Sequence, residues 1–144
     1  MNISIGCDHA GFPYKNLIIN FLTQKGHQVT DKGTMSLDSV DYPDFAHAVA
    51  QTIQKKEADL GILLCGSGNG VAITANKYAD VRAALAWNAQ IAQLGRQHNH
   101  ANILCLPVRF ISESEAIAIV ETFLNTPPEA GRHAQRVAKI SPLP

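Results

Sequence analysis

One segment constrains the fold of this chain more than any other. Leu60-Gly61-Ile62-Leu63-Leu64-Cys65 runs straight into Gly66-Ser67-Gly68-Asn69-Gly70. A continuous apolar run of strand length is the pattern of a strand buried on both faces, as in a parallel sheet sandwiched between helices. The alternate glycines that follow let a backbone come close to a ligand. They also let successive N–H groups turn inward as an anion nest at a helix N-terminus. The plainer reading of the same residues is a flexible turn.

The rest of the chain repeats the alternation. Strands are expected at Ile3–Gly6, His27–Thr30, Leu60–Cys65, Arg82–Trp87 and Asn102–Leu106. Between them lie helical patterns. Leu17, Ile18, Phe21 and Leu22 form an apolar stripe before Gly26, and Pro43 opens a second helix with Phe45, Ala46, Val49, Ala50 and Ile53 on one face. Val71–Tyr78 and Asn88–Gln97 supply two more. Ser112 and Glu115 have capping-box spacing ahead of Ala116, Ile119, Val120, Phe123 and Leu124. Pro127-Pro128 ends that helix, and a last helix is expected over Ala130–Ile140. Five strands alternating with helices imply an α/β, three-layer, doubly wound parallel sheet, flavodoxin- or Rossmann-like, plus a C-terminal helix. With 144 residues the chain is read as a single domain, 1–144. Ligands in such folds sit beyond the carboxyl ends of the strands, so the loops starting at Cys7, Cys65, Trp87 and Pro107 are the ones to search.

Charge and cysteine usage narrow the function. Twelve basic and twelve acidic residues leave no net charge, which argues against a general nucleic-acid binder. Charged residues make up 17% of the chain, below the roughly 25% of typical soluble proteins, which hints at a surface shared with a partner. No apolar run approaches bilayer length, and the N-terminus has no signal-peptide pattern. Cys7, Cys65 and Cys105 are odd in number and widely spaced, as expected of reduced thiols in a cytoplasmic protein.

Position 71 is Val71, which excludes both a G-x-G-x-x-G dinucleotide fingerprint and a Cys-x5-Arg phosphatase loop. No Gly-Lys-Ser/Thr tripeptide is present to make a P-loop. Cys65 is either a small buried hydrophobe or a nucleophile whose thiolate is favoured by the helix-start glycine loop, with its pKa expected to fall. Cys7 and Cys105 read as packing residues. Asp8 and His9, after the first strand, either share acid/base work or serve as a helix cap beside a surface histidine. His98-Asn99-His100 has the spacing of a metal pair, but no acidic or cysteine residue is near it in sequence. One histidine acting as a general acid/base is the reading adopted. Arg132 and Arg136 are four apart, so a helix presents both on one face toward a phosphate or toward solvent.

Taken together, six motifs resemble those of the type B ribose-5-phosphate isomerases and their galactose-6-phosphate isomerase relatives. They are Gly6-Cys7-Asp8-His9-Ala10-Gly11, Asp41-Tyr42-Pro43, Cys65-Gly66-Ser67-Gly68-Asn69-Gly70, Ala75-Asn76-Lys77, Arg96-Gln97-His98-Asn99, and Gly131-Arg132-His133 with Arg136. The resemblance runs essentially the whole chain. It implies a cofactor-independent aldose–ketose isomerase, without a metal, that works as a homodimer or a tetramer. Cys65 is then the base that moves a proton between C1 and C2, and His98, Asp8 and Ser67 open the sugar ring. The amides of Gly66, Gly68, Asn69 and Gly70, with Asn99, hold the enediolate oxygens. His9, Arg132, Arg136 and Arg109 hold the phosphate, and Tyr42 lines the sugar site. Some of these groups come from the neighbouring subunit, on which the 130–140 helix is expected to pack. The expected reaction interconverts ribose 5-phosphate and ribulose 5-phosphate. A hexose 6-phosphate such as allose or galactose 6-phosphate is the alternative substrate. A non-catalytic nucleotide- or flavin-binding module is the alternative of another class.

Overall fold

Each apolar run becomes a strand, and each is followed by a helix. The computed structural model describes residues 1–142, so the last two residues of the expected domain lie outside the described ones. The order is β1 (Asn2–Cys7), α1 (Phe12–Gln24), β2 (Gln28–Asp31), α2 (Tyr42–Gln54), β3 (Leu60–Cys65), α3 (Asn69–Ala75), β4 (Ala83–Leu85), α4 (Ala89–Asn99), β5 (Ile103–Pro107), α5 (Glu113–Asn125) and α6 (Arg132–Val137). All strand pairs are parallel, in the order β2-β1-β3-β5-β4. A flavodoxin sheet runs 2-1-3-4-5. Here the last two strands are exchanged, because the connection through α3 passes β5 and places β4 on the outer edge.

Alternate residues of the central strands feed two cores. Ile62 and Leu64 of β3, with Leu104 and Leu106 of β5, pack with Ile18 and Leu22 of α1 and with Ile119, Val120 and Phe123 of α5. Leu63, Cys65, Ile103 and Cys105 face the other way, onto Ala46, Val49 and Ala50 of α2 and Val71 and Ala75 of α3. This is the period-two logic of a strand buried on both sides. The neighbour relations between helices agree: α4 lies on α5 and α1 touches α5, while α2 lies on α3. Among the described residues, no helix is long and apolar enough to cross a membrane.

The edges explain where the observed elements differ from expectation. β4 keeps three residues rather than six, since one side of it has no partner strand. Part of that open side is met by Asn76, whose side chain donates to Ala83 O (2.9 Å) and accepts from Ala83 N (2.8 Å). α3 starts two residues earlier than expected because Gly68, at φ +75°, makes the turn into the helix. α6 covers 132–137 rather than 130–140. Gly131 at φ +68° and ψ −131° is outside helical geometry and delays its start. The Ser112–Glu115 capping box forms as the sequence predicts, with both reciprocal hydrogen bonds.

One buried charge fixes the loop ahead of α2. Lys15, on the inner face of α1, is 1% exposed. Its ammonium lies 2.8 Å from Asp31 Oδ2 and donates to Thr34 O at 2.6 Å. A buried ammonium needs such partners to offset its lost hydration. The pair therefore anchors the end of β2 and the following loop beside Cys7, whose carbonyl accepts from Thr34 N.

Candidate active site

The sheet reverses its winding between β1 and β3. β1 leads into α1 on one face, and β3 leads into α3 on the other, so the carboxyl ends of these strands open a crevice. Asp8 and Cys65 stand at its lips. The strand ends are held in register by Cys7 opposite Leu64 and Cys65 opposite Pro107. The ladder then continues into the loops, where Val108 N donates to Cys65 O (3.0 Å) and Arg109 N to Gly66 O (3.2 Å).

Asp8 is 5% exposed and Cys65 7%. The Cys65 thiol donates to Asp8 Oδ2 at 3.1 Å. The other carboxylate oxygen accepts from Ala10 N (2.9 Å) and Gly11 N (3.0 Å), at the start of α1. Asp8 is thus both the helix-start acceptor and the partner of Cys65, so the two readings of this residue are compatible. The carboxylate corrects one expectation. Burial pushes the Cys65 thiol up from its ordinary pKa, and the hydrogen bond to Asp8 and its negative charge push further in the same direction. The Ser67 and Gly68 amides pull the other way and are outweighed. In the resting protein the glycine loop does not deliver a low-pKa thiolate.

The loop is closely walled. A Cβ on Gly70 would lie 2.5 Å from the Tyr42 ring, so that ring sits directly over the loop backbone. A Cβ on Gly66 would lie 3.1 Å from a guanidinium nitrogen of Arg109. Ser67 is exposed, and its Oγ accepts from Asn69 N at 3.3 Å. His9 follows Asp8, and its Nδ1 accepts from Val40 N at 3.3 Å, which leaves Nε2 to carry the proton and donate. The structure therefore gathers Asp8, His9, Tyr42, Cys65, Gly66, Ser67, Gly68, Asn69, Gly70 and Arg109 at one end of the sheet.

It does not bring His98, Asn99, Arg132 or Arg136 to that end within one chain. α4 descends from the carboxyl end of β4 to the amino end of β5, so His98 and Asn99 lie one strand length away, about 16 Å for five residues. α6 packs on α4 and holds the arginines near that opposite end, both exposed. There the imidazoles of His98 and His133 stack, with centroids 4.0 Å apart and an interplanar angle of 1°. Burial, His98 and the neighbouring arginines push the pKa of His133 down, and Glu129 only partly opposes them. Asn99 lines an open groove of about 880 Å³ along the β4 edge, with Leu85, Ile91, Leu94 and Ile140.

Sequence reasoning missed Lys15, Glu129 and the burial of His133. Lys15 had a readable signal: it is three residues before Ile18 and seven before Leu22, on the stripe that faces the sheet. Glu129 and His133 gave none, because their neighbour His98 comes from a distant helix.

Compared with known proteins, residues 3–140 match the Ribose/Galactose Isomerase family. The chain belongs to this family. Its sequence is 48% identical over 139 residues to a probable ribose-5-phosphate isomerase B of Mycoplasma pneumoniae, covering 96% of this chain and 91% of that protein. The structure resembles ribose-5-phosphate isomerase B of Clostridium thermocellum with a TM-score of 0.96 at 46% identity, over 97% of this chain and 95% of that one. It resembles ribose-5-phosphate isomerase B of Mycoplasma genitalium, solved with bound ribulose 5-phosphate, with a TM-score of 0.94 at 47% identity, over 96% and 93%. Ribose/Galactose Isomerase family membership thus extends across both ends of the sheet, the Cys65 loop and the His98–Arg132 end alike.

Proposed function

We propose that this chain is an aldose–ketose isomerase that interconverts ribose 5-phosphate and ribulose 5-phosphate through an enediolate. The observation that carries the reading is the buried Cys65 thiol, 3.1 Å from a fixed Asp8 carboxylate at the mouth of a glycine-rich amide loop. The relatives named ribose-5-phosphate isomerase B support the pentose, as does the one solved with ribulose 5-phosphate.

The chemistry follows from the residues. The phosphate anchors the sugar away from the reacting carbons, so its binding energy orients C1 and C2. His9 Nε2–H and Arg109 are donors at this end, and Arg132 and Arg136 add cations from a second copy. Ring opening needs a proton moved between the anomeric hydroxyl and the ring oxygen, which His98, Asp8 and Ser67 perform. Cys65, as thiolate, then takes the proton from C2 of the open aldose and returns it to C1. The Gly66, Gly68, Asn69 and Gly70 segment, with Asn99, holds the negative oxygen. Removing one such donor typically costs about 10²–10³ in rate.

The site is complete only when a second copy supplies His98, Asn99, Arg132 and Arg136, so the active form is a homodimer or a tetramer built as a dimer of dimers. The exposed face of α6 is the natural contact for that partner. We assign the reaction to the cytoplasm, where Cys65 stays reduced.

Purified protein incubated with ribose 5-phosphate in heavy water is expected to exchange the C2 hydrogen, and Cys65→Ala to abolish that exchange. Unchanged exchange in the variant would remove Cys65 as the base. Measuring kcat/KM on ribose 5-phosphate and on allose and galactose 6-phosphates decides the sugar. A tenfold preference for a hexose would overturn the pentose assignment.

A further inference from the structure

The end of the sheet opposite Cys65 carries a second constellation. His98 on α4, His133 on α6 and Glu129 between α5 and α6 offer three ligand atoms, all within 4.8 Å of one another. We propose that these three residues form a binding site for a divalent transition-metal ion of the zinc class, and that the bound ion inhibits the isomerase by occupying His98.

The spacing of the ligand atoms approaches what zinc requires. Zinc sits about 2.0–2.2 Å from nitrogen and oxygen ligands in a tetrahedral arrangement, which places ligand atoms roughly 3.4 Å apart. His133 Nε2 already stands 3.5 Å from Glu129 Oε2. The rings of His98 and His133 stack face to face, 4.0 Å apart and 1° from parallel, so their in-plane lone pairs run side by side and do not yet converge on one point. Binding an ion therefore needs the half-buried His98 ring to turn out of the stack while His133 stays buried and exposed Glu129 adjusts. The backbone beneath them is fixed, since Glu129 N donates to Gln97 O (3.0 Å) and Glu129 O pairs with His100 Nε2 (2.6 Å). Two imidazoles and one carboxylate form the donor set of open zinc sites, with a fourth position left for water.

The His98-x-His100 pair has no acidic ligand near it in sequence. The fold supplies that ligand from the α5–α6 connection, and the second imidazole comes from His133 rather than His100. Arg132 and Arg136 flank the site. Their charge opposes a cation, so micromolar rather than tighter affinity is expected, in keeping with an inhibitory ion rather than a structural one.

The inhibitory half rests on the role proposed for His98, and the experiment separates the two. Calorimetric titration of the purified, chelator-treated protein with zinc chloride needs no substrate. One zinc per chain is expected for the wild type and for Cys65→Ser. At least a tenfold weaker affinity is expected for Glu129→Gln, by loss of a direct ligand. Glu129 is exposed, so this variant keeps its fold, and its turnover in zinc-free buffer is expected to be unchanged. Zinc should inhibit the wild type, reversibly with chelator, at concentrations that leave Glu129→Gln active. Equal affinity in wild type and Glu129→Gln, or loss of binding in Cys65→Ser, would overturn the site. Glu129-dependent binding that leaves turnover intact would overturn inhibition and the functional role of His98 while leaving the metal site standing.

Discussion

After burial, the residue that most shapes the acid–base character of Cys65 is Asp8. It holds the thiol by a 3.1 Å hydrogen bond and sets a negative charge beside it, so it raises the thiol pKa that the amides of the glycine loop lower. Replacing Asp8 by Asn removes the charge and keeps the size. The pKa of Cys65 should then fall, the thiolate fraction at pH 7.5 should rise, and alkylation of Cys65 by iodoacetamide should become faster. Slower alkylation in Asp8→Asn would show that the carboxylate activates the thiol instead. For the wild type, thiolate chemistry at a raised pKa implies that kcat/KM climbs with pH through the alkaline range. Cys65, Asp8 and the loop glycines were legible as a candidate site because each lies at a strand end or in the loop that leaves it. The direction of the thiol pKa was not legible, since it depends first on burial and then on a carboxylate at the end of another strand.

At the scale of elements, the β3–α3 connection is the part the chain specifies most tightly. Gly68 sits at φ +75°, and a Cβ there would meet Leu85 Cδ1 at 2.5 Å. Gly68→Ala should therefore lose about 1–3 kcal/mol of stability, read as a lower urea midpoint, because a residue with a Cβ is strained in this conformation. The loop amides would also be displaced, so kcat should fall with it. An unchanged midpoint would mean that the turn adapts at no cost. β3 was readable residue for residue, as a continuous apolar run ending at glycine. β2 and β4 were less so. An edge strand has one partner strand and is less deeply buried, so its composition carries a weaker pattern and its ends are set by neighbours such as Asn76.

The whole molecule places the two groups of residues proposed for the site at opposite ends of one sheet. If a symmetric dimer pairs the Cys65 end of one copy with the His98 end of the other, two inactive variants should complement. Cys65→Ala mixed with His98→Asn and allowed to exchange subunits should recover about a quarter of wild-type activity: half the dimers are mixed, and each mixed dimer has one intact site. No recovery would contradict the composite site. The buried thiols also make stability depend on pH. Burial lifts Cys7 to about 11, and Cys65 and Cys105 shift upward as well. Unfolded thiols ionise near about 8.5, so the folded state is favoured fully below that pH and loses this advantage as pH rises through the folded values. The Tm should hold steady from pH 7 to 8 and drop between pH 9 and 11. Cys7→Ala should lessen that drop, even though the variant starts from a lower Tm.

By itself the sequence determined the alternation of strands and helices, the Cys65 loop at a strand end and the family resemblance, because these depend on residues close together in the chain. Tertiary structure alone decided three things. It put Asp8 against Cys65 and raised the thiol pKa, it set His98 a strand length from that thiol, and it closed His133 and Glu129 around His98. Each joins residues that only the packing of distant elements makes neighbours, and burial then sets the strength of every charge among them.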